Sequence, residues 1–238
     1  MLTRRQACGC IIGALGAPVV SAHAAEPVCP LSTPESQAAM MPAEAVAQLK
    51  EGNQRFLAGK PINCNVLAQV QATAARQTPF AAVVGCMDSR VPPETIFDQR
   101  IGDIFCARVA GNVVDVDFLG SLEYGTAYGG AKAIVVLGHT DCGAILSAIK
   151  GVEAGHITAL LEKMRPAIEA VSAKFPEDQR KDANADYVKA VTDAHVLLTA
   201  ASLTERSPIL RDLVENGKLV IAPAVSDLQT GEIRWLES

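Results

Sequence analysis

The sequence holds two short clusters of side chains that can bind a metal ion or move protons. These side chains are Cys86, Asp88 and Arg90 in the first cluster, and His139 and Cys142 in the second. Each cluster follows an apolar run, at residues 81–84 and 134–137, that has no helical period and predicts a strand buried on both faces. Because such strands form parallel sheets, whose carboxyl ends bind ligands, we expect both clusters at that edge of a sheet.

If these two strands are neighbours, Cys86, His139 and Cys142 can meet at one point. Two thiolates and an imidazole suit zinc, and three protein ligands leave a fourth position open, which is typical of a catalytic site. A single cysteine at a strand end is usually part of the core, so the prediction depends on the two strand ends coming together. The residues therefore predict a catalytic site with one Zn²⁺ per subunit.

Asp88 and Arg90 allow two interpretations. They form either a surface ion pair, which contributes little to stability, or a functional pair beside the metal. In the second case Asp88 accepts a hydrogen bond from the metal-bound water and orients the hydroxide, while Arg90 holds the carboxylate away from the metal. If Arg90 releases it, Asp88 can itself become a fourth metal ligand and close the site.

Length and composition indicate one globular domain with a substantial core. The chain has 238 residues, of which 49% are hydrophobic and 20% charged. Its formal net charge is −5 and only 4% of its residues are aromatic, without a basic stripe. This balance argues against a nucleic-acid partner.

Residues 1–24 have the features of an export signal. Arg4 and Arg5 precede an apolar stretch that carries no charge until Glu26, and small residues at 22 and 24 form a cleavage site. The paired arginines suggest the twin-arginine route, whereas Ala7, where such signals carry a bulky apolar residue, leaves the general secretory route open. We expect a periplasmic or secreted protein with no stable membrane association after cleavage.

Alternating strand and helix patterns predict an α/β fold, a mainly parallel sheet flanked by helices. Residues 25–41 read as an extended lead-in, and residues 42–238 as the functional domain. This domain is expected to open with an N-terminal helical arm from Pro42 and to end with a short edge strand over Ile233–Leu236. A single helix is expected over Ile157–Val171.

Several cysteines and histidines fall outside the two clusters. Cys29 and Cys64 form either a disulfide or two unpaired thiols. Cys106 lies in an apolar run and is expected to be a small buried hydrophobe. His156 and His195 are expected to be solvated helix residues.

Four motifs, in their order and spacing, closely resemble the β-class carbonic anhydrases, here of an exported bacterial type: CMDSRVPPETIFD, GDIFCARVAGN, SLEYG and GHTDCG. The resemblance covers nearly all of residues 42–237. It implies zinc on the two cysteines and the histidine of the clusters, and zinc-dependent reversible hydration of carbon dioxide to bicarbonate and a proton. Zinc-bound hydroxide would be the nucleophile, oriented by the Asp88–Arg90 dyad.

The resemblance also implies a substrate pocket shared between two subunits. Gln77 would donate a hydrogen bond to the substrate, and Phe105 and Tyr124 would line the pocket across a dimer interface. The backbone N–H of Gly143 would stabilise the developing bicarbonate oxygens. The expected assembly is a homodimer or a dimer of dimers.

Two departures from the family pattern bear on regulation. Members with a bicarbonate-inhibited form use a Trp in the arm, an Arg in the second strand and a Tyr near the C-terminus. Arg108 matches the Arg, but the arm carries Phe56 and residues 225–227 hold no Tyr, which favours the open form. Two alternative functions remain at this point: hydrolysis of carbon disulfide or carbonyl sulfide on the same fold, and a non-catalytic exported zinc-binding protein.

Overall fold

A computed structural model describes residues 31–62 and 65–237. Within these residues, five strands form one sheet with the order β2-β1-β3-β4-β5. The strands are β1 (Ala81–Gly85), β2 (Ile104–Arg108), β3 (Ala133–His139), β4 (Val220–Ser226) and β5 (Ile233–Trp235). The first four pair in parallel and β5 pairs antiparallel with β4, so the predicted mainly parallel sheet with a short C-terminal edge strand is confirmed.

Helices cover both faces of this sheet. In the described part of the chain the α-helices are α1 (Pro34–Ala39), α2 (Pro42–Leu57), α3 (Val66–Thr73), α4 (Pro93–Ile96), α5 (Val116–Glu123), α6 (Gly143–Lys150), α7 (Gly155–Glu162), α8 (Arg165–Ser172), α9 (Ala185–Arg206) and α10 (Pro208–Glu215). A π-helical turn, Tyr124–Tyr128, continues α5, and 3₁₀ turns lie at Ala110–Asn112 and Glu177–Gln179.

The central strands β1 and β3 are buried on both faces, as their apolar runs predict. Because side chains alternate along a strand, Val83 and Val135 pack on the α2 and α4 side, and Val84 and Val136 on the α9 and α10 side. A third apolar cluster lies beneath α6 to α9 and contains Cys86 together with Cys142. The metal-binding candidates therefore lie where the core meets the carboxyl edge of the sheet.

The predicted N-terminal arm is helix α2, which starts at Pro42. Ala45 and Leu49, one turn apart, are fully buried against the first apolar cluster. Gly52 lets the helix approach the chain closely, since a Cβ there would lie 1.8 Å from the Phe97 carbonyl oxygen. In this protomer the arm is thus anchored on its own sheet.

Three local predictions differ from the structure. The lead-in at residues 25–41 is not extended throughout, because Thr33 caps the short helix α1 by accepting a backbone N–H three residues on. The single helix expected over residues 157–171 is two helices, since Pro166 has no N–H with which to continue α7. Helix α10 was not predicted; Ser207 caps it and a proline opens it.

Cys106 was predicted to be buried, and it is exposed. It lies on β2, one of the two edge strands of the sheet, and no residue of that strand is fully buried. Cys29, Cys64 and residues 1–24 lie outside the described residues. Among the helices of the described part, none alone has the length and apolar composition to cross a membrane; α6 and α7 pass that test only as a pair bent by 93°.

Candidate metal centre

The site forms where the order of the strands reverses. From β1 the chain crosses to β2 on one side and then returns to β3 on the other side of β1, which opens a crevice at the carboxyl ends of β1 and β3. Gly85 pairs in register with Leu137, so Cys86 and His139 leave neighbouring strands at nearly the same level. Cys142 follows three residues later, at the start of α6.

The structure brings the three predicted ligands together. One ligand atom from each of Cys86, His139 and Cys142 lies within 4.8 Å of the others, and all three side chains are buried. The Nδ1 atom of His139 lies 2.8 Å from the Thr140 carbonyl oxygen, which can only accept, so this nitrogen carries the proton. Its Nε2 atom is buried and has no hydrogen-bond partner in the described protein, so its lone pair is available to a metal ion.

These atoms fit a tetrahedral metal ion. In a zinc site with sulfur and nitrogen ligands, bond lengths of about 2.0–2.3 Å place the ligand atoms roughly 3.3–3.8 Å apart. The three ligand atoms lie within 4.8 Å of one another, so they would have to move only slightly closer to reach that spacing. A buried imidazole nitrogen without a partner costs free energy unless something binds it, and a metal ion at this point would do so.

Backbone N–H groups beside both thiols favour a negatively charged sulfur, although burial opposes it. The Gly111 N–H donates a hydrogen bond of 3.3 Å to Cys86 Sγ. Cys142 is the N-cap residue of α6, and the N–H groups of Ala144 and Ile145 favour its ionised form. The interaction between the two sulfurs lowers the pKa of Cys86 and raises the pKa of Cys142, because the two thiols share one proton in the metal-free protein.

Asp88 and Arg90 form the pair that their spacing suggested. Arg90 donates to Asp88 Oδ1 from its backbone nitrogen and from Nε, both at 2.9 Å, and to Oδ2 from Nη2 at 2.7 Å. The Arg90 hydrogen bonds hold the pKa of Asp88 well below its usual range, so the carboxylate stays ionised. Asp88 Oδ2 lies 3.9 Å from His139 Nε2, which places the charge beside the candidate metal position.

Arg108 fixes the backbone that carries the first cluster. Its Nε atom donates to the Cys86 carbonyl oxygen at 2.9 Å, and Nη2 donates to the Asp88 carbonyl oxygen at 2.5 Å. The resemblance to the family linked Arg108 only to the bicarbonate-inhibited form. Its position at the end of β2, level with Gly85, was the available signal, because a side chain there can reach the loop after β1.

Comparisons with known proteins agree with this geometry. A family model described as "Carbonic anhydrase" matches residues 81–233. "Carbonic anhydrase 2" of Mycobacterium tuberculosis is 36% identical in an alignment 196 residues long that covers 80% of this chain and 90% of that protein. The chain belongs to the β-class of carbonic anhydrases.

Solved structures of β-carbonic anhydrases share the fold of this chain. An enzyme from Coccomyxa aligns with a TM-score of 0.63 at 26% identity, over 71% of this chain and 77% of that one. A structure from Sordaria macrospora, described as tetrameric, aligns with a TM-score of 0.61 at 23% identity, over 72% of this chain and 90% of that one. The activity of this chain is therefore that of a carbonic anhydrase.

In this carbonic anhydrase, three of the predicted substrate residues do not meet the metal cluster within one protomer. Gln77 is exposed and precedes β1, at the end opposite to Cys86. Phe105 and Tyr124 line an open cavity of about 580 Å³ beside β2, and its lining contains none of the three candidate ligands. Gly143, by contrast, is the first residue of α6 and directly follows Cys142, and a Cβ on it would meet nothing within 4 Å.

His195 was predicted to be solvated, and this prediction is wrong. Its side chain is only 4% exposed, and its Nε2 atom lies 2.7 Å from the Gly111 carbonyl oxygen. The helical spacing of α9 contained the signal, because His195 continues a buried face that also includes Val188, Val191, Thr192, Val196 and Thr199. His156 is exposed, as predicted.

Proposed function

We propose that this carbonic anhydrase hydrates carbon dioxide reversibly with one zinc ion per subunit, held by Cys86, His139 and Cys142. The observation that carries the proposal is the buried cluster of two sulfurs and an unpartnered imidazole nitrogen. Soft thiolates and imidazole favour zinc over magnesium, calcium or manganese. When bound, zinc supplies a Lewis acid that lowers the pKa of water from 15.7 toward about 7.

The Asp88–Arg90 pair orients the attacking oxygen. Two thiolates would neutralise the charge of a divalent ion held here, so the Asp88 carboxylate would accept a hydrogen bond from the attacking water and help it ionise. Three hydrogen bonds from Arg90 hold Asp88 in place and support the open form, in which the carboxylate stays off the metal. Release of Asp88 from Arg90 would be required for the closed form.

The α6 N-terminus supplies one side of the substrate pocket. The Gly143 N–H belongs to the first turn of that helix, where backbone donors and the helix dipole favour a developing negative charge. The space above Gly143 is open, which leaves room for carbon dioxide and bicarbonate beside Cys142.

A second copy of the chain supplies the other side of the pocket. Gln77, Phe105 and Tyr124 are remote from the metal cluster of their own protomer, and Tyr124 is 64% exposed beside the outer strand β2. These residues would reach the cluster of a partner in a homodimer or a dimer of dimers. Tetramers of Sordaria macrospora β-carbonic anhydrases are consistent with the larger assembly.

Complementation between two inactive variants tests this shared pocket. Gln77→Ala removes a donor from one copy, and Cys86→Ala removes a metal ligand from the other. If Gln77 acts across the interface, dissociating and re-mixing the two variants restores activity in part, because a mixed dimer has one intact site. Activity that stays at the level of the separate variants would place Gln77 outside the partner's site.

We further propose that the protein acts outside the cytoplasm, in the periplasm or as a secreted protein. Arg4 and Arg5, followed by an uncharged apolar stretch, support export. Replacing both arginines by lysine should retain the chain in the cytoplasm if the twin-arginine route is used. Cell fractionation after this change separates that route from the general secretory route, which tolerates lysine.

Stopped-flow hydration of carbon dioxide, with zinc content measured on the same sample, tests the central proposal. Fast hydration by the zinc-loaded chain, lost on chelation and regained with zinc, is the expected result. Cys142→Ser is a matched ligand variant and should lose metal and activity together. A metal-free chain with full activity, or a zinc-loaded chain that turns over carbon disulfide or carbonyl sulfide but not carbon dioxide, would refute it.

A further inference from the structure

A continuous chain of contacts links the buried His195 to the candidate ligand Cys86. Cys86 Sγ accepts a hydrogen bond from the Gly111 N–H, and the Gly111 carbonyl oxygen lies 2.7 Å from His195 Nε2. We propose that His195 is a positioning residue for Cys86, acting through the backbone on both sides of Gly111. This inference rests on the proposed zinc site, because Cys86 has to be a metal ligand for its orientation to matter.

Gly111 adopts a backbone conformation that a residue with a side chain could not adopt at this position. Its φ of 66° and ψ of 24° lie in the left-handed region, and a Cβ would lie 2.0 Å from Met164 Cε and 3.2 Å from Ala144 Cβ. Glycine is therefore needed at this position, but glycine restricts the backbone least of all residues. Within the turn the Asn112 N–H bonds to the Val109 carbonyl oxygen, and contacts from outside the turn add to the restraint on the direction of the Gly111 N–H.

His195 has the geometry to provide that contact. A carbonyl oxygen only accepts, so the pairing places the imidazole proton on Nε2. Burial lowers the pKa of His195, which keeps the ring neutral and the donor at Nε2. The ring is held on the buried face of α9, and His195 also lines a cavity of about 590 Å³ between α9 and the residues that precede α5. Within the described residues its Nδ1 atom makes no hydrogen bond, so the link to Gly111 is the one side-chain hydrogen bond of His195 there.

The link affects the metal through the sulfur. An N–H donor aimed at a thiolate withdraws charge from it and fixes its lone pairs, and such outer contacts of ligands change metal affinity or activity roughly 10–100-fold when they are removed. Asn112 follows Gly111 with a φ of 44°, so the turn contains two successive left-handed residues. Without the His195 contact, the turn keeps the Asn112 N–H bond to the Val109 carbonyl oxygen at 3.0 Å, but nothing holds the Gly111 carbonyl side of the peptide, so the Gly111 N–H can tilt away from Cys86.

Three variants of the full chain separate positioning from packing. His195→Leu removes the donor at similar volume, and His195→Gln keeps an amide N–H that can reach the Gly111 carbonyl. Thr199→Val is the matched control, because Thr199 lies one turn further on the same face of α9 and lines the same cavity. If His195→Leu does not fold, His195→Asn, whose amide is one methylene shorter than that of Gln, takes its place.

The readouts are the zinc dissociation constant from chelator competition and the thiolate-to-metal charge-transfer band after cobalt substitution. We expect His195→Leu to weaken zinc binding roughly 10–100-fold and to shift the band, and His195→Gln to restore most of both. Thr199→Val should change neither. Unchanged zinc affinity and cobalt spectrum in a folded His195→Leu protein would overturn the inference and leave the zinc site intact. A wild-type chain that binds no zinc would overturn the proposed function and, with it, this inference.

Discussion

Replacing Asp88 by Asn tests the catalytic pair most directly, because the change is nearly isosteric. The carboxylate accepts three hydrogen bonds from Arg90, two at Oδ1 and one at Oδ2. In Asn one of these oxygens becomes an NH₂ group, which cannot accept, so at least one charge-assisted bond is lost. The negative charge 3.9 Å from His139 Nε2 disappears as well.

The expected loss of activity follows from the role of the carboxylate. Losing one preorganised hydrogen-bond partner of the reacting group costs roughly 10²–10³-fold in rate, so kcat for carbon dioxide hydration should fall by that factor. Zinc content should not change, since Cys86, His139 and Cys142 are untouched. The assay is stopped-flow hydration on a sample whose zinc content is measured in parallel.

Asp141→Asn is the matched control for Asp88→Asn. It removes the same charge from the same edge of the sheet, and Asp141 acts on Arg90 only as a nearby charge. Its φ of 51° lies in the left-handed region, which Asn tolerates as well as Asp. The control should change kcat by no more than about fivefold, the effect of an exposed charge. Equal losses in both variants, or full activity in Asp88→Asn, would refute the role of the pair.

Three further predictions concern stability and are checked by urea unfolding. Arg108→Ala should lower the free energy of unfolding by about 2 kcal/mol, because two carbonyl oxygens beside the ligands lose a charged donor; an unchanged midpoint would contradict this. Folding lowers the pKa of Asp88, so its contribution to stability is present above its unfolded pKa of about 3.9 and is lost as the pH falls below that value. The free energy of unfolding should therefore decline less between pH 5 and pH 3 in Asp88→Asn than in the wild-type chain. Gly138→Ala should cost about 1–3 kcal/mol, because its Cβ would lie 2.5 Å from Val196 Cγ2, whereas Gly120→Ala, with nothing within 4 Å, should cost nothing.

The candidate ligands could be predicted because their signals are local. Each follows an apolar run that is buried on both faces, and each run is short enough to be a strand of a parallel sheet. The remaining assumption was that the two strands that lead to Cys86 and His139 are neighbours. The pairing of β1 with β3 satisfies it. The position of the metal centre thus follows from strand ends rather than from any single residue.

The errors arise where distant parts of the chain decide the outcome. Cys106 lies in an apolar run, but its exposure depends on β2 being the outer strand, which local composition does not reveal. His195 was interpreted by residue type alone, although its helical spacing places it on the buried face of α9. Gln77, Phe105 and Tyr124 cannot be placed against the metal by one chain, because each lies away from the cluster in its own protomer.

The reversal in strand order between β1 and β3 has a consequence for how this protein could acquire new chemistry. The crevice exists because two crossovers leave in opposite directions, and none of the ligands is needed to form it. Side chains at the ends of β1 and β3 can therefore be exchanged without changing the strand pairing that forms the crevice. In this scaffold the order of the strands determines where a reaction takes place. A few side chains after Gly85 and Gly138 determine which reaction it is.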